Sequence, residues 1–167
     1  MTTSDQWSVA VSSRSVSISV AVGRDSVSML TAKKTKFILK KLSLMDYKDL
    51  LAFKKGFELA MSIFHISKQF PKEERYSLTD QVRRSSRSVC ACIAESYRKR
   101  LYPAHFKSKL SDADMENSET NVWLDFAHAC DYISDETHSE LTKKAEEVGK
   151  LVNYMILNPS KFGVSPK

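Results

Sequence analysis

The chain has 167 residues, 42% of them apolar and 28% charged, which fits one globular unit with enough apolar side chains for a core. Four glycines and four prolines are few, which counts against a loop-rich or all-β domain and favours long helices. The formal net charge is +6, but residues 1–45 hold seven Lys or Arg against two acids and so carry +5 of it, leaving the remainder nearly neutral. The odd set Cys90, Cys92 and Cys130 has no framework spacing. A disulfide-stapled secreted domain is not expected, the cysteines read as small apolar fillers, and a reducing, cytoplasmic setting is expected. No stretch approaches the roughly 20 apolar residues of a membrane span, so no membrane partner is expected.

Residues 1–44 differ from the rest. Serines alternate with Val9, Val11, Val16, Ile18, Val20 and Val22 at the strand period of two, and Lys33, Lys34, Lys36, Lys40 and Lys41 follow. One hairpin has nothing to pack on, so a weakly structured or disordered basic extension is expected. Met29 and Met45 also allow translation to start inside it.

From Asp46 the period becomes helical. Leu50, Phe53, Phe57, Ala60 and Phe64 predict the buried stripe of a first helix that runs to Phe70, where Pro71 disfavours helical geometry. Ser77 and Asp80 predict a capping box for a second helix, to about Arg100, with Leu78, Val82, Val89, Ile93 and Tyr97 inward. Its small residues Ser85, Ser86, Ser88, Ala91, Ala94 and Ser96 permit close helix approach. Pro103 opens a third helix carrying Phe106, Leu110, Trp123, Leu124, Phe126 and Cys130, to about Ile133. Ser134 or Asp135 caps a fourth, with Leu141, Ala145, Val148, Val152, Met155 and Ile156 inward, ended by Asn158-Pro159. Short breaks between long helices predict an all-α fold: an antiparallel up-down-up-down four-helix bundle over 45–158, with a tail at 159–167.

The charge is segregated. Arg83, Arg84, Arg87 and Arg98 fall on the side of the second helix away from its apolar stripe, and Lys99, Arg100 and Lys107 extend this ridge around the next turn. Two readings stand: a phosphate-binding surface, or a solvated face with local pairs such as Asp80 with Arg84 and Glu95 with Lys99. From Asp112 to Glu140 there is no Lys or Arg. Asp112, Glu116 and Glu119 lie near Trp123, and the third helix has apolar residues on more than one side. A head-to-tail contact between this acidic surface and the basic ridge of another copy is therefore expected, with Asp112, Glu116, Glu119 and Trp123 at the interface.

Catalytic chemistry finds little footing. The serines of the second helix lack a nearby His and acid, and there is no Gly-rich phosphate loop. Asp125-x-x-His128 and Asp135-x-x-His138 each look like half of a bundle metal motif, but the completing carboxylates are not identifiable. No enzyme, metal or cofactor is expected.

The run Phe70-Pro71, Glu74-x-Tyr76-x-Leu78-x-x-Gln81, Arg83-Arg84 and Ile93-Ala94-Glu95 resembles the four-helix bundle proteins encoded in intervening sequences of bacterial 23S rRNA genes. These are similar to the accessory variability determinant of diversity-generating retroelements. The resemblance covers about Asp46 to Asn158. It departs at Cys92 and Ser96, where the family usually has Asn and Gly. It implies a homopentamer with a positively charged surface, and, for the retroelement branch, binding to nucleic acid and to a reverse transcriptase. The expected function is a non-enzymatic, homo-oligomeric accessory protein that binds RNA or DNA through Arg83, Arg84, Arg87, Arg98, Lys99, Arg100 and Lys107. The alternative is a protein-interaction scaffold whose arginines serve subunit contacts. The sequence offers no stack of exposed aromatics interleaved with the basic residues, so base-specific recognition of a single strand is not expected.

Overall fold

Three breaks, at Phe70–Tyr76, Lys99–Tyr102 and Cys130–Ser134, cut the chain into four helices. The computed structural model of the protein describes residues 46–164, so the expected basic extension 1–44 and the last residues of the tail lie outside the described residues. The helices are α1 (Leu51–Ile66), α2 (Leu78–Arg98), α3 (Pro103–Ala129) and α4 (Asp135–Leu157). Each packs on its neighbours in chain order, and α4 returns to α1, which closes the expected up-down-up-down bundle. The α1–α2 and α3–α4 connections lie at one end, where the Phe70 and Tyr132 rings meet at 5.8 Å.

Local chemistry sets the helix ends. The expected first helix is broken up: Asp46 and Asp49 form a reciprocal capping box around a 3-10 turn at Tyr47–Asp49, and α1 then starts after the extended Leu50. Its C-terminus tightens into a second 3-10 turn, Ser67–Gln69, before Pro71 stops it. The Ser77–Asp80 capping box does not form. Glu74 serves instead: its Oε2 accepts the Ser77 hydroxyl and, at 3.2 Å, the Leu78 N–H. The Ser77 hydroxyl first, and the Leu78 N–H second, hold the Glu74 carboxyl below its usual range. The third helix ends at Ala129, four residues before the expected Ile133, because Asp131 adopts φ 59°. The Asp131 N–H then donates to the His128 carbonyl and the Tyr132 N–H to the Ala127 carbonyl, both at 2.9 Å, a Schellman closure. Ser134 caps α4 as expected, its hydroxyl accepting the Thr137 N–H at 3.2 Å.

The core of α2 and α4 follows the expected stripes: Val89, Ile93, Ala145, Val148 and Val152 are fully buried. That of α1 does not. Phe57 is 54% exposed and Phe53 and Phe64 are only half-buried, while Ala52, Gly56, Leu59 and Ile63 face inward with Leu50 and Ala60. Apolar residues occupy more than half of the helix circumference, with Lys54, Lys55, Glu58, Ser62 and His65 on the remaining arc, so periodicity alone leaves the rotation open within that wide arc, and closeness decides it. A methyl group on Gly56 would stand 3.3 Å from Cys90 Sγ, so α1 and α2 meet through small residues and the phenylalanines are displaced to the rim. On α3, Phe106, Leu110 and Leu124 are buried as expected, Trp123 is half-buried, and Phe126 and Cys130 point outward.

The α2–α3 contact is equally close and partly polar. The buried Ser85 and Thr120 hydroxyls lie 2.9 Å apart, and Thr120 also donates to the Glu116 carbonyl. Ser86 and Ser96 are buried with their hydroxyls turned back onto the Val82 and Ile93 carbonyls, both at 2.7 Å, so the serines serve packing. Glu116 Oε2 is buried at this seam without a partner. Desolvation, and then the like charge of Glu119, raise its pKa against the pull of Arg84.

Leu59→Ala should cost about 3 kcal/mol in urea unfolding, the usual loss for a buried leucine, whereas Phe57→Ala should cost less than about 1 kcal/mol. Equal losses for the two would contradict the rotation of α1. A carboxyl whose pKa is raised by folding contributes least above that raised value, and its penalty is relieved as pH falls through the raised value toward the ordinary one. Glu116→Gln should therefore unfold at a higher urea midpoint than the wild type at pH 7, with the gap closing as pH drops below the ordinary carboxylate range. Coincident midpoints at pH 7 would refute the placement.

Candidate nucleic-acid interface

The α1–α2 end of the bundle carries a groove of about 960 Å³. Its lining draws Lys68 from the turn after α1, Lys72, Arg75 and Tyr76 from the turn before α2, and Arg83, Arg84 and Arg87 from α2 itself. Six cationic side chains thus face one acid, Asp80, across a floor that includes Phe70, Pro71 and Ala91.

Phe64 organises the inner part of this surface. Lys68 Nζ lies 4.6 Å from its ring centroid, Arg83 Cζ 5.1 Å and Arg87 Cζ 5.7 Å. The ring's negative face offers each a modest attraction, and none of them adds a counter-charge. Arg83 is further fixed by donation from Nε to the buried Ser67 Oγ at 2.7 Å. Among the described residues, no carboxylate lies within ion-pair distance of Lys68, Lys72, Arg75, Arg83 or Arg87. Lys68, Arg83 and Arg87 are thus positioned by Phe64 and Ser67, and none of the five is neutralised by a carboxylate among the described residues.

The expected ridge is divided. Arg83, Arg84 and Arg87 sit together in the groove, whereas Arg98 lies about 16 Å along α2 from Arg87 and about 22 Å from Arg83, at about 1.5 Å per residue. There Arg98 pairs with Asp46 at 3.7 Å and lies over the Tyr47 ring. Arg100 donates to the Tyr97 carbonyl at 2.8 Å and covers its ring, while Lys99 and Lys107 are exposed at that same far end. Lys68, Lys72 and Arg75 were not among the expected site residues. They lie in the inter-helix connection, and only the fold brings them opposite α2.

The acidic residues of α3 are partly used within the chain. Glu119 Oε1 lies 3.5 Å from Arg84 and accepts the Trp123 indole N–H at 3.0 Å. Asp112 and Glu95 both bind Lys109, at 3.3 and 3.0 Å. The expected local pairs Asp80–Arg84 and Glu95–Lys99 are replaced by these inter-helix ones. Met115, Val122 and Phe126, spaced seven and four residues apart on α3, form an exposed apolar stripe.

The two Asp-x-x-His segments exchange partners. His128 Nε2 meets Asp135 Oδ1 at 2.6 Å and His138 Nε2 meets Asp125 Oδ1 at 2.8 Å, with the imidazoles stacked at 4.6 Å. The pairs tie α3 to α4 across their turn. Among the described residues no group of three or more His, Cys, Asp or Glu is arranged to hold a metal ion. Of the cysteines, Cys90 alone is a buried filler, and burial pushes its thiol up to about 11. No helix among the described residues is long and apolar enough to cross a membrane.

Comparison with known proteins agrees with this architecture. The chain is similar to a protein of unknown function from the S23 ribosomal protein family of Bacteroides thetaiotaomicron, whose crystal structure superposes with a TM-score of 0.60. The two are 29% identical, over 66% of this chain and 98% of that one. No curated protein matches. The family profile of the 23S rRNA-intervening sequence protein matches residues 48–154, which include all of α1 to α3 and most of α4, and the chain therefore belongs to the 23S rRNA-intervening sequence protein family.

Proposed function

We propose that this protein is a non-enzymatic, homo-oligomeric accessory protein that binds nucleic acid through the α1–α2 groove. The observation that carries this reading is the gathering of Lys68, Lys72, Arg75, Arg83, Arg84 and Arg87 against the single acid Asp80, five of the six without a carboxylate partner among the described residues. A cleft lined by one sign of charge attracts a polyanion, and phosphates on a nucleic acid backbone match its donors without reading sequence. The exposed stripe Met115, Val122 and Phe126, flanked by the exposed acids Asp114 and Asp125, supports self-association, for which family resemblance implies a pentamer. A reverse transcriptase is a further partner that the same resemblance brings in.

The second reading, a protein-interaction scaffold, is favoured by the Arg84–Glu119 pair, which shows an α2 arginine already meeting an α3 acid. The two readings separate on salt. Binding of labelled RNA or DNA, followed by fluorescence anisotropy, should be tight at 50 mM salt and fall steeply toward 200 mM. Arg75→Ala/Arg87→Ala should weaken it by about tenfold or more at low salt and reduce the log–log salt slope by roughly one to two. Arg98→Ala/Lys99→Ala, at the far end, should have a smaller effect. Light scattering should show an intact oligomer for both variants. An oligomer that retains no nucleic acid even at 50 mM salt would leave the scaffold reading.

A further inference from the structure

Among the described residues, Tyr76 is the exposed aromatic side chain of the groove lining, and no contact within the fold uses its ring. It ends the 3-10 turn Lys72–Tyr76, is 87% exposed, and lines the groove beside Arg75. Among the described residues it makes no hydrogen bond, ring contact or cation–π contact. The other large apolar groups here do have partners: Phe70 is buried against Tyr132, and Lys68, Arg83 and Arg87 cover Phe64. An aromatic ring in water, held at the mouth of a cleft full of unpaired cations, has a clear chemical complement: an anionic chain that carries flat apolar faces.

We propose that Tyr76 is a base-stacking platform and that the ligand of this groove is a single-stranded nucleic acid. This rests on the nucleic-acid reading above and goes further, since a groove of cations alone would take duplex and single strand alike. A duplex keeps its bases stacked on one another and shows only edges and phosphates, whereas a single strand can splay a base onto a tyrosine ring while its phosphates meet cations. Lys68, Arg83 and Arg87, held near one ring, supply the phosphate side, and Tyr76 supplies the base side. Stacking on an aromatic face tolerates any base, so the preference is for strandedness rather than sequence. The expectation from sequence concerned a stack of aromatics and base-specific recognition, whereas a single exposed ring at Tyr76 asks only for stacking that tolerates any base. Tyr76 is seven residues before Arg83 and across a turn, and only the folded connection sets them around one cleft.

The test uses the full-length protein, fluorescein-labelled 20-nucleotide dT and U strands, a duplex of equal length, and a dT-length strand with abasic sites, in anisotropy at 50 mM salt. The wild type should bind the single strands more tightly than the duplex. Tyr76→Ala should weaken single-strand binding about tenfold while changing duplex and abasic binding less than about twofold, and Tyr76→Phe should stay within about twofold of wild type. Equal loss on all four ligands, or no loss on any, would overturn the stacking role while leaving phosphate binding intact. Absence of binding to every ligand by the wild type would remove the nucleic-acid reading and this inference together, in favour of a protein occupant.

Discussion

Close approach of α2 to both neighbours is the constraint on which the rest of the molecule depends. Gly56 against Cys90 on one side, and Ser85 against Thr120 on the other, bring the helix axes to a distance that admits no large side chain between them. Interiors are packed to near-crystalline density, so bulk excluded at one place must go elsewhere. The phenylalanines of α1 go to the rim. One of them, Phe64, becomes the ring around which Lys68, Arg83 and Arg87 gather. The gathering of these three cations is thus a consequence of how α2 packs rather than a separate addition to the bundle.

The elements of the fold were legible from sequence because their signals are local. Pro71, Pro103 and Asn158-Pro159 stop or start helices by backbone sterics, and Ser134 caps α4 through its own hydroxyl. The stripes of α2 and α4 were legible because each has a polar back that fixes rotation. Those of α1 were not. A helix apolar on most sides can turn several ways, and only the Gly56–Cys90 contact, between residues far apart in sequence, selects one. Ser77 misled for a related reason: Ser77 and Asp80 satisfy the capping pattern, but Glu74 on the preceding turn takes the Ser77 hydroxyl with its carboxylate and the Ser77 N–H with its carbonyl. The candidate site was half legible. Helical spacing correctly joined Arg83, Arg84 and Arg87, but angle around an axis says nothing about distance along it, and Arg98 shares the angle while lying at the opposite end of the bundle.

Membership of a family fixes the bundle and leaves the function to the surface. The charge pattern separates two kinds of surface. At the far end of α2 and along α4, cations meet acids: Arg98 with Asp46, Lys144 with Glu58 and Glu140, Lys150 with Glu146. Such exposed pairs contribute a few tenths of a kcal/mol and ask for no partner. In the groove, the same residue types stand together with Asp80 as the one acid among the described lining residues, and three of them, Lys68, Arg83 and Arg87, are held by contacts to Phe64 or Ser67. Like charges held together raise the free energy of the unliganded protein, and an anion that enters relieves it. A ligand that binds only the folded state also stabilises that state, by an amount set by its concentration relative to Kd. The unpaired cations of the groove would therefore link the proposed binding to stability in a way that the paired cations elsewhere on the bundle would not, which is the physical ground for the proposal.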